Sequence, residues 1–282
     1  MQRRQFLTTV GVGLASSVAG CSSTGKSPGS ESSTTAPFEH PGTLETRMVA
    51  NGEYPADDNP ADGYPPEFSD PPESPDFDPS TVDTVSANDE TIRLVPIDVA
   101  IAWHQRREAR FVDARGLGQY ERSHVYGSVL STAQQESDGG PISDWDRDDR
   151  VVTYCGCPHH LSSLRAAGLQ KAGFSAVYAI DEGFGVWDDR GYPMAGTAFA
   201  DASESSISEW TIEGAVDGQY AGEYAWASTD RQYEAAPIGS DGRFTLHLTF
   251  ADVDSETQIQ LSTPAFTLAR PLGELARGVV DG

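Results

Sequence analysis

Between residues 92 and 200, short apolar runs alternate with stretches whose apolar residues have helical spacing. The sequence "VPIDVAIAWHQRREA", with Pro96 at its start, predicts a helix, and so does "LSSLRAAGLQKAG", which Gly173 closes. The runs "RFVDAR", "RVVTYC" and "SAVYAI" predict buried strands. Strands that alternate with helices are typical of a parallel sheet covered on both faces, so this region is predicted to be an α/β domain.

The pattern changes after residue 203, where apolar and polar residues alternate with a period of two. The alternation is clearest from Arg243 to Thr249, and the turn sequence "GSDGR" precedes it. Such runs predict antiparallel strands with one buried face. Residues 203–282 are therefore predicted to form a small all-β, sandwich-like module, and a protein partner is one expected role for it.

Residues 22–91 have a different composition, in which prolines and acidic residues dominate and apolar residues are scattered. Too little apolar surface is available there to offset the entropy that ordering would cost. We therefore predict an acidic, proline-rich tether between the N-terminus and the folded part of the chain.

The N-terminal sequence "MQRRQFLTTVGVGLASSVAGC" combines Arg3 and Arg4 with a short apolar stretch at residues 10–19. That stretch is too short and too rich in glycine and serine to span a bilayer. Residues 1–21 resemble a twin-arginine lipoprotein signal, with Cys21 as the acylated residue. This resemblance implies a protein held by a lipid anchor at the cell membrane and facing the exterior.

The net charge of the chain is −24 at pH 7, and Lys26 and Lys171 are its only lysines. A surface of this charge repels nucleic acid phosphates, so a nucleic-acid partner is not expected. The bias is similar to that of proteins adapted to high salt, where screening makes a large charge of one sign tolerable. The charge is therefore interpreted as adaptation and not as a binding site.

The chemistry that the sequence offers is concentrated in "YCGCPHHLSS", residues 154–163. Cys155 ends a predicted strand and the following residues open a predicted helix, so backbone N–H groups and the helix dipole point towards the loop between them. A thiolate at the start of this loop is stabilised, and its nucleophilicity at neutral pH rises. The same environment would stabilise a cysteine persulfide anion.

The loop sequence also admits two other interpretations. Cys155, Cys157, His159 and His160 offer four zinc ligands, but such close spacing can rarely surround one ion. A cysteine phosphatase would need an arginine where this chain has Leu161, and it therefore lacks the phosphate-binding guanidinium.

Residues 92–197 resemble a single rhodanese domain. The resemblance rests on "FVDARGLGQYERSHVYGSV" and on the segment from "VVTYC" to "DEGFGVWDDRGYPM". In the second segment Tyr154 and Cys155 begin the active loop, and the closing motif is matched by Gly183, Trp187, Gly191 and Pro193. The resemblance covers little more than a third of the chain and implies an α/β rhodanese-like domain over residues 92–200.

This resemblance implies that Cys155 is the nucleophile that carries sulfur as a persulfide. The protein is then expected to take sulfane sulfur from a donor and pass it to a thiol or to cyanide, with no cofactor and no metal. Supporting roles near the loop fall to Asp113, Arg115 and His124, none of which is expected to do chemistry directly. The backbone amides of the active loop would cradle the sulfur, and this loop consists of Gly156, Cys157, Pro158, His159 and His160.

Three loop positions depart from the family pattern. His160 stands where the family often has arginine or lysine, so its attraction for anionic donors would depend on pH. Pro158 removes one N–H group from the cradle. Cys157 could attack a Cys155 persulfide or form a disulfide with Cys155. The alternative to a sulfurtransferase is therefore a catalytically inert binding or redox-sensing module.

Overall fold

The structure is a computed structural model that describes residues 62–65, 67–68, 70–135, 139–196 and 207–282. The predicted lipoprotein signal with Cys21 lies outside the described residues. The same holds for the first part of the predicted tether.

The predicted α/β region contains a six-stranded sheet of order β1-β2-β7-β6-β3-β5, with a small antiparallel pair, β4 and β8, beside it. β1 is antiparallel to β2, and the other neighbours in the large sheet are parallel, as the alternation of strands and helices predicts. The strands are β1 Thr84–Ala87, β2 Glu90–Val95, β3 Arg110–Asp113, β4 His124–Val125, β5 Val129–Leu130, β6 Arg150–Tyr154, β7 Ala176–Ile180 and β8 Met194–Ala195.

Helices cover both faces of the large sheet. They are α1 Ile97–Gln105, α2 Leu117–Arg122, α3 His160–Lys171 and α4 Gly183–Asp189. Successive residues of β6 point to opposite faces: Val151 joins the core under α3, whereas Val152 joins the core that contains α1 and Trp187 of α4. Both faces of the central strands are thus buried, which explains why these strands are continuous apolar runs in the sequence.

The C-terminal strands form two further sheets, of order β11-β10-β13-β14 and β12-β9-β15, which share one apolar core. Along β12 the buried residues alternate with exposed ones, as the sequence predicts. These elements are β9 Ile207–Ala215, β10 Tyr224–Ser228, β11 Tyr233–Pro237, β12 Arg243–Ala251, β13 Gln258–Ser262, β14 Thr267–Pro271, the one-turn helix α5 Leu272–Leu275, and β15 Val280–Asp281.

Strand β11 joins the C-terminal strands to the α/β domain. Tyr233 and Ala235 belong to the same apolar core as the residues of α3 and the large sheet. The Tyr233 hydroxyl lies 3.3 Å from the Ala114 carbonyl oxygen and 3.2 Å from that of Arg115. All described residues fall within one compact unit, and the two regions share a core.

The predicted tether, residues 22–91, is too long at its C-terminal end. Strand β1 and the first residues of β2 lie within it and extend the large sheet by antiparallel pairing. Upstream, the Phe77 ring packs edge-on against Trp103 at 4.8 Å, and Tyr64 lies under the guanidinium of Arg110. The scattered aromatic residues therefore supply enough apolar contact to order the described part of this segment.

Among the described residues, no helix has both the length and the apolar character needed to cross a membrane.

Candidate active site around Cys155

Cys155 lies at the carboxyl end of β6, between β7 and β3 in the middle of the large sheet. A loop of four residues, 156–159, separates it from the first turn of α3. Ligands of open parallel sheets bind outside the carboxyl ends of the strands, so the fold places this thiol where chemistry is expected. The thiol itself is buried, with 1% of its residue surface exposed.

The sulfur of Cys155 contacts both the loop and the first turn of α3. The thiol donates to the backbone carbonyl of Cys157 at 2.7 Å, and Sγ lies 3.4 Å from Ser162 Oγ. The backbone of Ser162 also hydrogen-bonds the sulfur. The N–H donor that the sequence places in the loop is thus supplied by the first turn of the helix. Sequence reasoning missed Ser162, although its hydroxyl sits in the predicted first turn.

The contacts from Ser162 and from the Cys157 thiol favour the thiolate form of Cys155, whereas donation to the Cys157 carbonyl favours the protonated thiol. Burial raises the pKa of its thiol, but hydrogen bonds from Cys157 and Ser162 and the positive charge of Arg115 outweigh burial, and the pKa falls to about 7. The resulting thiolate is available as a nucleophile at neutral pH.

Cys157 has the opposite character. Its thiol donates to the Cys155 sulfur, and burial and the neighbouring Glu234 carboxyl further disfavour its ionisation, so the pKa of Cys157 rises far above its ordinary value. Glu234 comes from β11 and is fully buried. Burial, together with the charge of Cys155, raises the pKa of Glu234 to about 8. The two cysteines thus differ in ionisation: Cys155 is the nucleophilic thiolate, and Cys157 stays protonated.

The two histidines of the loop point to different surroundings. His160 Nδ1 lies 3.4 Å from Cys157 Sγ, and the ring also hydrogen-bonds the Ala235 backbone. Burial lowers the pKa of His160, and the charge of His159 lowers it further. His159 has a left-handed backbone, with φ of 72°, and its Nε2 lies 3.3 Å from an oxygen of Asp181. His160 faces Cys157, and its lowered pKa favours the neutral ring. The pH-dependent attraction of His160 for anionic donors stays a prediction.

Asp113 and Arg115, predicted as supporting residues, form a buried ion pair beside the loop. Arg115 Nη2 donates to Asp113 Oδ2 at 2.7 Å and to the Ser123 carbonyl at 2.6 Å. The guanidinium carbon lies 4.0 Å from the centre of the Phe184 ring. Paired in this way, Arg115 stays charged, and its positive charge lowers the pKa of Cys155.

His124, the third predicted supporting residue, is buried in β4 and packs against Tyr120 of α2. Its Nδ1 lies 2.6 Å from the Tyr120 carbonyl oxygen, and its ring stacks on that of Tyr120 at 3.9 Å. Burial lowers the pKa of His124 to about 4, so the ring is neutral at pH 7. Its place in the structure is that of a packed residue that orders β4.

A cleft of about 370 Å³ opens beside the loop, between the α/β domain and the C-terminal strands. Thr249 of β12 faces Gly156 so closely that a Cβ at this glycine would lie 3.0 Å from the threonine Oγ1. The C-terminal strands therefore cover part of the active loop. The residues that line the cleft include Arg115, Gly156, Phe184, Ile207, Glu209 and Thr249.

Residues 98–190 match the family model described as a rhodanese-like domain. Together with the fold, this match identifies the α/β part of the chain as a rhodanese-like domain, as the sequence motifs predict.

Among individual proteins, the chain is similar to the thiosulfate sulfurtransferase GlpE of Vibrio cholerae, with 27% identity over 101 residues, 36% of this chain and 92% of the relative. A rhodanese-like domain from Anabaena sp. matches with a TM-score of 0.34 and 16% identity, covering 41% of this chain and 86% of that one. A thiosulfate sulfurtransferase from Pseudomonas aeruginosa matches with a TM-score of 0.33 and 20% identity, covering 37% of this chain and 20% of that one.

Proposed function

We propose that this protein is a sulfurtransferase that carries sulfane sulfur as a persulfide of Cys155. The observation that carries the proposal is the position of the Cys155 sulfur at the end of the central strand. There it faces the hydroxyl and the backbone of Ser162 and the charge of Arg115. These groups stabilise an anion on the sulfur, whether it is a thiolate or a persulfide. The similarity to a thiosulfate sulfurtransferase supports the same reaction class.

The reaction has two displacement steps. The Cys155 thiolate attacks the outer sulfur of thiosulfate, the S–S bond of the donor breaks, and sulfite leaves with the bonding electron pair. The enzyme then holds Cys155–S–S⁻. An acceptor thiolate, or cyanide, attacks the outer sulfur, and Cys155 leaves as the thiolate with which the cycle began. No oxidant or reductant is consumed.

The surroundings of the sulfur favour a small donor. Cys155 is buried, and Thr249 and Phe184 are among the residues that line the cleft next to the loop. Arg115 and Arg122 line the cleft together with Asp188, Asp189 and Glu209, so the lining carries charges of both signs, and size limits the donor more than charge does. A small molecule such as thiosulfate fits this approach, whereas a folded protein donor would need the C-terminal strands to move.

The experiment is to incubate the full chain with thiosulfate and to measure its intact mass. We expect a gain of one sulfur atom that is lost when a thiol is added. Cys155→Ser should reduce loading at least ~1000-fold, because the neighbouring thiol, Cys157, has a raised pKa and stays protonated. Cys157→Ser is the matched control and should still load sulfur. If Cys155→Ser loads sulfur as well as the wild type does, the assignment is wrong.

A second candidate is a redox-sensing module without transferase activity. The observation that favours it is the hydrogen bond between the two thiols, which brings Cys157 to the sulfur of Cys155 beneath the C-terminal strands. In this case no donor would add sulfur, and mild oxidation would join the two cysteines in a disulfide. The same mass measurement separates the two functions, because a disulfide lowers the mass whereas a persulfide raises it.

We also propose that the protein is exported by its twin-arginine signal and held at the outer face of the cell membrane by a lipid on Cys21. The support is the N-terminal sequence alone. Fractionation of cells that produce Cys21→Ser should recover this variant in the soluble fraction, whereas the wild type stays with the membrane. Retention of the variant in the membrane at high salt would contradict the anchor.

A further inference from the structure

Three side chains with metal-binding atoms meet where β11 crosses the active loop. Cys157 lies in the loop, His160 is the first residue of α3, and Glu234 lies in β11. Their ligand atoms all lie within 4.8 Å of one another, and Cys157 Sγ is 3.4 Å from His160 Nδ1. In a tetrahedral zinc site, bond lengths of about 2.3 Å to sulfur and about 2.1 Å to nitrogen place these two ligands roughly 3.6 Å apart. The spacing of Cys157 and His160 matches that geometry, and the Glu234 ligand atom lies within 4.8 Å of both.

Glu234 supplies an independent sign that a ligand belongs here. The residue is fully buried, although glutamate is almost never buried without a partner. Its Oε1 accepts a hydrogen bond from the neighbouring Ala235 amide at 3.0 Å, and the carboxyl also hydrogen-bonds the Cys157 side chain. Neither contact supplies a full positive charge, so the buried carboxyl must keep a proton or bind a cation.

The orientation of His160 fits the same role. Nδ1 faces the Cys157 sulfur, and the ring's hydrogen bond to the Ala235 backbone fixes the imidazole in place. Histidines that bind metals almost always use the second nitrogen for such a contact, because it sets the tautomer and the ring orientation. The backbone of Ala235 in β11 thus orients His160, and the side chain of Glu234 in the same strand supplies another ligand.

We propose that Cys157, His160 and Glu234 form a site for a divalent transition-metal cation of the zinc type. A thiolate and a carboxylate together neutralise the two positive charges of the ion, so the buried cluster would carry no net charge. The combination of sulfur, nitrogen and oxygen ligands suits zinc, and three protein ligands leave a fourth position open. Cys157 and His160 are partly exposed, which gives an ion a way in.

The proposed ligand set differs from the one that the loop sequence offers, and it departs from the expectation that the protein holds no metal. Cys155 is engaged by Ser162 and by the Cys157 carbonyl. His159 pairs with Asp181 on the other side of the loop. Glu234 takes the place of these two residues. The ion would therefore join the C-terminal strands to the loop and hold the Cys157 sulfur as a ligand beside the free Cys155.

The test uses Co²⁺ as the probe, because a cobalt–thiolate bond gives a charge-transfer band in the near ultraviolet. The full chain is freed of metals with a chelator and titrated with Co²⁺. We expect one ion per chain and a thiolate band, both abolished by Cys157→Ser. His160→Ala and Glu234→Gln should weaken binding at least ~10-fold. The matched controls are Cys155→Ser and His159→Ala, which remove the neighbouring cysteine and histidine and should keep the band.

Three outcomes would overturn the proposal. The first is the absence of stoichiometric Co²⁺ in the wild type. The second is loss of the band in Cys155→Ser and His159→Ala as well, which would assign the ion to the loop alone. The third is full binding by Glu234→Gln. Far-ultraviolet circular dichroism is measured for every variant, and if Glu234→Gln does not fold, Glu234→Asp replaces it and should bind more weakly than the wild type. None of these outcomes depends on sulfur transfer, so the proposed function is tested separately.

Discussion

The rhodanese-like domain and the C-terminal strands both reach the active loop, but they do so in different ways. The domain places Cys155 by topology, since the thiol ends a central parallel strand and precedes a helix. The C-terminal strands contribute by contact, with Glu234 beside Cys157 and Thr249 against Gly156. The first arrangement follows from a local pattern of residues, whereas the second exists only when two regions distant in sequence have packed. The comparison shows that a site with a recognisable motif can be completed by a region that has none.

The largest expected effect concerns whether the two regions unfold together. Phe111 is fully buried in the domain, and Phe250 is fully buried between the C-terminal sheets. Replacing either by alanine should lower the free energy of unfolding by ~3–5 kcal/mol, through lost apolar contact and the cavity left behind. Because the regions share a core at Tyr233 and Ala235, both variants should shift one common transition in urea. Two transitions, each sensitive to one variant, would show that the regions are independent.

The next effect is the contribution of His124, in the domain, to the dependence of stability on pH. Burial lowers the pKa of His124 to about 4 in the folded protein, whereas in the unfolded chain it titrates near 6.5. As pH falls from 6.5 towards 4, the unfolded state binds a proton that the folded state does not. This difference should remove up to ~3 kcal/mol of stability.

His124→Gln should flatten that part of the profile, and urea unfolding at several pH values measures it. An unchanged profile in His124→Gln would show that burial of His124 does not set the dependence.

A smaller effect is expected at the junction of the regions. The Tyr233 hydroxyl contacts the carbonyl oxygens of Ala114 and Arg115. Tyr233→Phe keeps the packing and removes this hydrogen bond, so the free energy of unfolding should fall by ~1 kcal/mol. Tyr224→Phe, on the neighbouring strand β10, is the control and should cost less. If the two variants have the same stability, the polar contact across the junction contributes nothing measurable.

The smallest effect is expected at His159, which belongs to the loop but not to the proposed metal site. Its backbone has a φ of 72°, which glycine adopts without strain. Its contact with Asp181 is partly exposed and is of the kind that contributes little. His159→Gly should therefore change the free energy of unfolding by less than ~1 kcal/mol, as thermal denaturation can show. A large loss would mean that this side chain holds the loop in place.

The sequence allowed most of the domain to be predicted, because its strands are apolar runs and its helices have clear boundaries. Cys155 was recognised from the strand, loop and helix around it. Glu234 was not, because 43 acidic residues give a single glutamate no distinguishing feature, and its burial depends on packing between distant strands. The ordered end of the predicted tether could not be recognised from the sequence for a related reason, since Tyr64 and Phe77 gain their partners only in the folded protein.

The cover over the loop also has a consequence for the order of events during synthesis. Glu234 and Thr249 lie far beyond Cys155 in the sequence, so the ribosome delivers the strands that close the site only after the sheet and its thiol have emerged. Contacts between residues so far apart form slowly compared with local ones. Each new chain therefore passes through an interval in which Cys155 is open to the surrounding solution. Small thiols, oxidants and metal ions of the compartment where synthesis takes place reach the cysteine during that interval, before the mature protein restricts access to its cleft.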